Sequence, residues 1–114
     1  MKNNCVFCAI QAGEIPSEKF YEDERMIVIK DIEPKAALHY LAIPKRHYKL
    51  LGEMTESDRE DLGKIFATIP SLAEKLGLEG GYRLIINQGD DAGQTVFHLH
   101  IHILGGQKMD FPEL

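Results

Sequence analysis

The stretch that decides the fold is Gly93-Gln94-Thr95-Val96-Phe97-His98-Leu99-His100-Ile101-His102-Ile103-Leu104. Three of the chain's five histidines alternate there with apolar residues, the pattern of a half-buried β-strand. Side chains two apart on a strand share a face, so His98, His100 and His102 form a row. Phe97, Leu99, Ile101 and Ile103 then fill the opposite face and hold the row in place. One histidine in a strand is ordinarily a core or surface residue. Three in strict alternation, behind a Gly-Gln-Thr turn, point to chemistry.

Spacing divides the work among the three. Next-but-one residues on a strand lie roughly 6.5–7 Å apart at Cα, so two imidazoles converge on one zinc through bonds of about 2 Å. The outer pair, about 13 Å apart, does not easily join them. At most two of the row therefore bind one ion, and at least one is left for other chemistry.

Upstream of the histidine row, Tyr82-Arg83-Leu84-Ile85-Ile86-Asn87 reads as a strand, and the polar residues Gln88 to Gly93 loop from it into the row. So short a connection implies antiparallel pairing. Asn87 reads equally as a loop-capping asparagine and as a ligand contact. Before it, Leu62, Ile65, Phe66, Ile69, Leu72, Ala73 and Leu76 recur at helical spacing, a core-facing stripe. Thr55 is positioned to cap that helix and Gly77 to end it, while Pro70 should kink or divide it.

Three more strands precede the helix. They are Lys19 to Glu22, Arg25 to Lys30 (apolar on both faces, hence interior) and His39 to Pro44. Asp31 follows the second and reads as a turn residue or as an acceptor for a ligand's hydroxyls. Cys5-Val6-Phe7-Cys8 opens a short helix that Gly13 caps and Pro16 stops. Cys-x-x-Cys has three readings: a redox pair, half a metal site, or two small buried residues. The redox reading wants a strand before the motif, and only four residues precede Cys5. The sum is an α+β fold, an antiparallel β-sheet with one long and one short helix, in a single domain over residues 1–114.

Composition narrows the function classes. The net charge of −5 and the absence of a basic run argue against a duplex nucleic-acid binder. No apolar run approaches the roughly 20 residues of a membrane span. Met1-Lys2-Asn3-Asn4 lacks the apolar core of a signal peptide, so the expected location is cytoplasmic. In that compartment Cys5 and Cys8 are expected as thiols or metal ligands.

The segment His98-Leu99-His100-Ile101-His102-Ile103-Leu104 resembles the signature of the histidine triad family, His-φ-His-φ-His-φ-φ with φ apolar. His39 through His47 is similar to the family's His-φ-φ-φ-Ile-Pro-Lys-x-His segment, and the resemblance covers nearly the whole chain. Gly105-Gly106-Gln107-Lys108-Met109 resembles the nucleotide-binding Hint branch. The resemblance implies a hydrolase or nucleotidyl transferase acting on purine nucleoside phosphoramidates or related α-phosphate bonds, with an AMP or GMP derivative as substrate. It makes His100 the nucleophile, with His39 and His102 orienting it. It places Asp31 on the ribose, Asn87 on the ligand, and Phe7, Ile10, Ile29 and Ile32 around the purine. Gly93, Gln94 and Thr95 are positioned to donate hydrogen bonds to the phosphate; the family often has Ser at the Thr95 position. Cys5, Cys8, His47 and His98 match a structural zinc site found in some members. A homodimer is implied as well.

Two rivals stand beside this reading: a nucleotide-binding interaction module with little catalysis, and a dinucleoside polyphosphate hydrolase. Near its end the chain departs from the Hint pattern. Asp110-Phe111-Pro112-Glu113-Leu114 stands where those proteins carry Trp-Pro-Pro, which bears on the leaving group.

Overall fold

The structure is a computed structural model that describes residues 5–110. The closing segment compared above with Trp-Pro-Pro lies, after Asp110, outside the described residues, as does Met1 to Asn4. The elements are α1 (Val6–Gln11), β1 (Lys19–Glu22), β2 (Met26–Lys30), β3 (Leu38–Pro44), α2 (Glu56–Leu72), β4 (Tyr82–Ile85) and β5 (Ile101–Gly105). Two short 3₁₀ turns, Leu51–Glu53 and Asp90–Ala92, lie in the loops. The five strands form one sheet in the order β1-β2-β3-β5-β4, with antiparallel pairing throughout. The expected α+β architecture is borne out.

Period-2 alternation gives this sheet two apolar faces. Met26, Val28, Tyr40, Ala42, Ile101 and Ile103 point to one side and meet Ile65, Ile69 and Leu72 of α2. Ile27, Ile29, Leu41 and Ile43 point to the other, where Phe7 and Ile10 of α1 cover them. β2 is buried on both faces, as its composition requires. The helical stripe is core: Ile65, Ile69, Leu72 and Leu76 are buried.

Thr55 caps α2 reciprocally with Asp58. Its Oγ1 accepts from the Asp58 N–H at 3.1 Å, and Asp58 Oδ2 accepts from the Thr55 N–H at 3.0 Å. Pro70, expected to kink or divide the helix, does not: α2 runs on through it to Leu72. The missing N–H costs only the bond to the Phe66 carbonyl, and the Ala73 N–H turns back to the Pro70 carbonyl at the end. The chain keeps turning to Gly77 (φ 77°), where Leu78 N–H reaches Ala73 O at 2.7 Å and Gly77 N–H reaches Glu74 O at 3.2 Å. That is a Schellman closure, so Gly77 ends the coil as expected although the regular helix stops earlier.

Two strand expectations need correction. β4 ends at Ile85 rather than Asn87. The histidine row is not one strand, since β5 begins only at Ile101. The ladder with β3 stops at the Ala42–Ile101 pair although β3 itself runs on to Pro44, which has no N–H to offer the facing segment. Leu99 N–H instead donates to Tyr48 O at 2.7 Å, and its side chain joins Tyr48 and Met54 in a separate cluster. Phe97, expected on the packed face, is 51% exposed, with the Lys49 ammonium 4.5 Å from its ring centroid.

Gly105 closes β5 under tight constraint. A Cβ there would lie 2.6 Å from Leu78 Cδ2 and 3.0 Å from the Gly81 carbonyl oxygen. Gly105→Ala is therefore expected to lower stability by about 1–3 kcal/mol, the usual cost of overpacking. Urea unfolding monitored by circular dichroism measures it; an unchanged midpoint would mean that the Gly81 backbone yields freely.

Candidate active site and metal cluster

The sheet register places the histidines. His102 faces Leu41 on β3 and Ile85 on β4, so it sits across the middle of three strands. His39, two residues before Leu41, shares that face and comes within reach of His102. His100 and His98 precede the ladder and lean toward α1, where the Phe7 ring meets both edge-on.

Hydrogen-bond partners assign the tautomers. His100 Nδ1 lies 2.8 Å from the His98 carbonyl oxygen, which only accepts, so Nδ1 carries the proton. Nε2 is left with its lone pair, and His100 lines a cavity of about 500 Å³. The Lys35 backbone N–H donates to His39 Nδ1 at 3.0 Å, so the His39 proton is on Nε2. That proton has two acceptors, His102 Nδ1 at 2.9 Å and Asp31 Oδ2 at 3.3 Å. With Nδ1 accepting, His102 carries its own proton on Nε2. Burial pushes His102 down to about 4, helped by His100 and His39 and opposed by Asp31. Burial lowers His39 too. Both are neutral at pH 7, which keeps this a hydrogen-bonded chain beside His100.

Asp31, His39 and His102 also lie close enough to be considered as a metal trio. Their protons argue otherwise. His39 Nε2 carries the hydrogen that faces Asp31 and His102, because its Nδ1 is occupied by the Lys35 N–H. The trio is a hydrogen-bonded chain, not a set of converging lone pairs.

Cys5, Cys8, His47 and His98 are the opposite case. Their Sγ and Nδ1 atoms all lie within 4.8 Å of one another. Cys5 Sγ and Cys8 Sγ stand 3.3 and 3.6 Å from His98 Nδ1; His47 Nδ1 stands 3.3 Å from Cys8 Sγ and 3.0 Å from His98 Nδ1. Tetrahedral zinc with ordinary bond lengths needs ligand separations of about 3.3–3.8 Å, the longest between the two sulfurs. His98 is fully buried, and its Nε2 donates to the Pro44 carbonyl at 2.7 Å, which turns the Nδ1 lone pair into the cluster. Burial pushes His98 down to about 4, so the imidazole is neutral, as a ligand must be. Burial raises the Cys5 thiol, so a thiolate there calls for a cation beside it. The donor set fits zinc. Only one histidine of the row contributes, within the limit of two that spacing sets.

The cavity gathers most of the remaining expected residues. Phe7, Ile10 and Ile29 form an apolar wall, and Asp31, Asn87 and Thr95 supply polar groups. Ile32 also lines it but is 94% exposed, so it stands at the mouth. Asp31 Oδ1 accepts from the Glu33 N–H at 2.8 Å, a turn role that leaves its carboxylate on the cavity. Asn87 takes the loop-capping part weighed for it, Nδ2 donating to the Ala92 carbonyl at 2.9 Å, and the residue also lines the cavity.

The loop Gly93-Gln94-Thr95 differs from expectation. Gly93 N–H donates to Asp90 O, and Gln94 N–H to Gly89 O. The buried Gln94 side chain accepts from Gly89 N–H at 2.9 Å and donates to Lys49 O at 3.0 Å. Gln94 thus shapes the loop. Thr95, exposed on the cavity, keeps its hydroxyl and N–H unpaired among the described residues. Three contributors escaped the sequence reading: the Lys35 amide that sets the His39 tautomer, the Pro44 carbonyl that orients His98, and Leu41 in the cavity wall. The first two act through backbone atoms, which carry no residue-type signal.

Comparison with known proteins agrees with this arrangement. Residues 4–112 match the family described as scavenger mRNA decapping enzyme C-terminal binding. The chain is 47% identical over 103 residues to protein HitA of Neisseria gonorrhoeae, covering 90% of this chain and 96% of that one. A HIT family hydrolase from Clostridium thermocellum is 52% identical with a TM-score of 0.90, covering 98% of both chains. A zinc-bound histidine triad family protein from Mycobacterium smegmatis is 38% identical with a TM-score of 0.78, covering 95% of this chain and 81% of its own. The chain belongs to the histidine triad family, close to its Hint-like members. Among the described residues, no helix is long and apolar enough to cross a membrane.

Proposed function

We propose that the protein is a hydrolase of purine nucleoside phosphoramidates that works through a nucleotidyl intermediate on His100. The observation that carries this is the His100 tautomer: Nδ1–H on the His98 carbonyl at 2.8 Å, with Nε2 available at the cavity. The Nε2 lone pair attacks the α-phosphorus, and an Nε2–P bond forms as the P–N bond to the leaving amine breaks. The bonding pair departs with the amine, which takes up a proton from solvent water. The positive charge on the imidazole is eased by the His98 carbonyl. Water then attacks phosphorus, loses a proton, and returns the pair to Nε2 as the mononucleotide leaves.

The other residues serve that displacement. Thr95 donates from its hydroxyl and N–H to the phosphoryl oxygens. His102, oriented by His39, places a neutral ring beside His100, the two centroids 5.0 Å apart. Asp31 accepts from the ribose hydroxyls, and the wall of Phe7, Ile10 and Ile29 takes the base. A cavity of about 500 Å³ lies within the usual range for small-ligand sites. Zinc belongs to this reading as a structural ion held by Cys5, Cys8, His47 and His98, supported by the donor set and the zinc-bound relative. So does a homodimer: β4 is an edge strand and Leu84 on it is 37% exposed.

The test is AMP release from an adenosine phosphoramidate, with a dinucleoside polyphosphate as competitor substrate. The expected turnover is on the order of 1 s⁻¹ or faster, with the phosphoramidate preferred. Preference for the polyphosphate would replace this substrate class. AMP binding without turnover of either would replace the hydrolase with a binding module.

A further inference from the structure

Two of the four cluster ligands flank the residue that walls the nucleotide cavity. α1 is only six residues long, and Cys5 caps it, its Sγ accepting from the Cys8 N–H at 3.3 Å. Between the two cysteines stands Phe7, buried, with its ring lining the cavity. That ring meets the ligand His98 edge-on at 5.8 Å and the nucleophile His100 at 5.1 Å, at interplanar angles of 82° and 76°. One ring therefore touches a metal-cluster residue, the proposed nucleophile and the ligand cavity at once. A second connection runs through His98 itself, whose Nδ1 faces the cluster while its carbonyl holds the His100 proton.

We infer that Phe7 couples occupancy of the Cys5/Cys8/His47/His98 cluster to nucleotide affinity in the adjoining cavity. The inference rests on the zinc and nucleotide readings above and goes beyond them, because it gives the ion a role in ligand binding. Cys5, Cys8 and His98 would hold the cation together, and with both ends of their turn so fixed the Phe7 ring between them would stay seated against His100 and the cavity. The sulfurs and ring nitrogens already crowd within 3.0–3.6 Å, so one ion would meet all four ligands. Helix α1 is otherwise held by its apolar packing and by Gln11 Nε2, which donates to Lys45 O at 2.9 Å. Phe7 acts here as a positioning residue. Because the coupling is a free energy between two sites, it is reciprocal: the ion changes nucleotide affinity by the same factor as the nucleotide changes ion affinity.

The experiment is a linkage square on the full chain. AMP affinity is measured by titration calorimetry on metal-free protein and on protein with one equivalent of Zn²⁺. Zn²⁺ affinity is measured against a competing chelator, with and without AMP. Zinc is expected to tighten AMP binding by about 5- to 150-fold, and AMP to tighten zinc by the same factor. Phe7→Leu is expected to weaken AMP in both states through lost wall area, yet to bring the ratio between the states close to one. Equal AMP affinity with and without zinc in the wild-type protein overturns the inference, and needs no variant to fold. An undiminished ratio in Phe7→Leu overturns the role of Phe7. Failure of Zn²⁺ to bind overturns the inference together with the zinc reading, and failure of AMP to bind the zinc-loaded protein overturns it together with the nucleotide reading.

Discussion

His100→Ala is expected to lower AMP release from an adenosine phosphoramidate by at least about a thousandfold, the scale seen when a covalent nucleophile is removed. AMP affinity should stay within a few-fold, since the apolar wall, Asp31 and Thr95 remain in place. The loss is large because no neighbouring histidine substitutes. His102 Nδ1 is occupied by His39, and its Nε2 carries a proton. His98 Nδ1 faces the cysteines and its Nε2 is held by Pro44. A rapid-quench experiment gives the companion result: wild-type protein forms one equivalent of acid-labile nucleotidyl-protein, and the variant forms none. Turnover retained by a well-folded variant would refute the nucleophile assignment.

Removing zinc is expected to produce the second large effect, on stability. An ion that binds only the folded chain stabilises it by about 4 kcal/mol when free metal is a thousandfold above the dissociation constant. For a domain of this size that corresponds to a fall in Tm on the order of 10–20 °C when a chelator strips the ion. The reason is positional. Cys5 and Cys8 belong to the start of α1, His47 to the loop after β3, and His98 to the segment before β5. One ion would tie together three segments that sheet hydrogen bonds do not join. Scanning calorimetry with and without chelator measures the effect, and Cys8→Ser should reproduce the chelated Tm and no longer respond to chelator. Less than about a tenth of an equivalent of zinc, after purification without chelator, would remove the structural ion from this account.

Much of this site was legible from residue types. The alternating histidines announced a shared location, and their spacing forbade a common task. His98 does go to the cysteines while His100 lines the cavity. Strict alternation, however, overextended the strand. Both His98 and Leu99 are buried, because each finds a partner off the sheet: the cluster and Pro44 for one, Tyr48 and Met54 for the other. Phe97 is left in solvent by the same departure. Gln94 shows a different limit. An amide beside a glycine reads as a phosphate donor, yet its groups close the loop onto Gly89 and Lys49.

By itself, then, the sequence determined the α+β layout, the second strand apolar on both faces, the Thr55 cap and Gly77 end of the long helical segment, and which histidines and cysteines would gather. These follow from period, capping and residue type, which are local properties of the chain. Only the tertiary structure decided which nitrogen of each histidine holds the proton, and so which lone pair is left at the cavity, which sits in the His39–His102 chain and which faces the cysteines. That choice is made by the carbonyls of His98 and Pro44 and the amide of Lys35. A proton settles on the ring nitrogen whose neighbour accepts it, and that neighbour is set by folding.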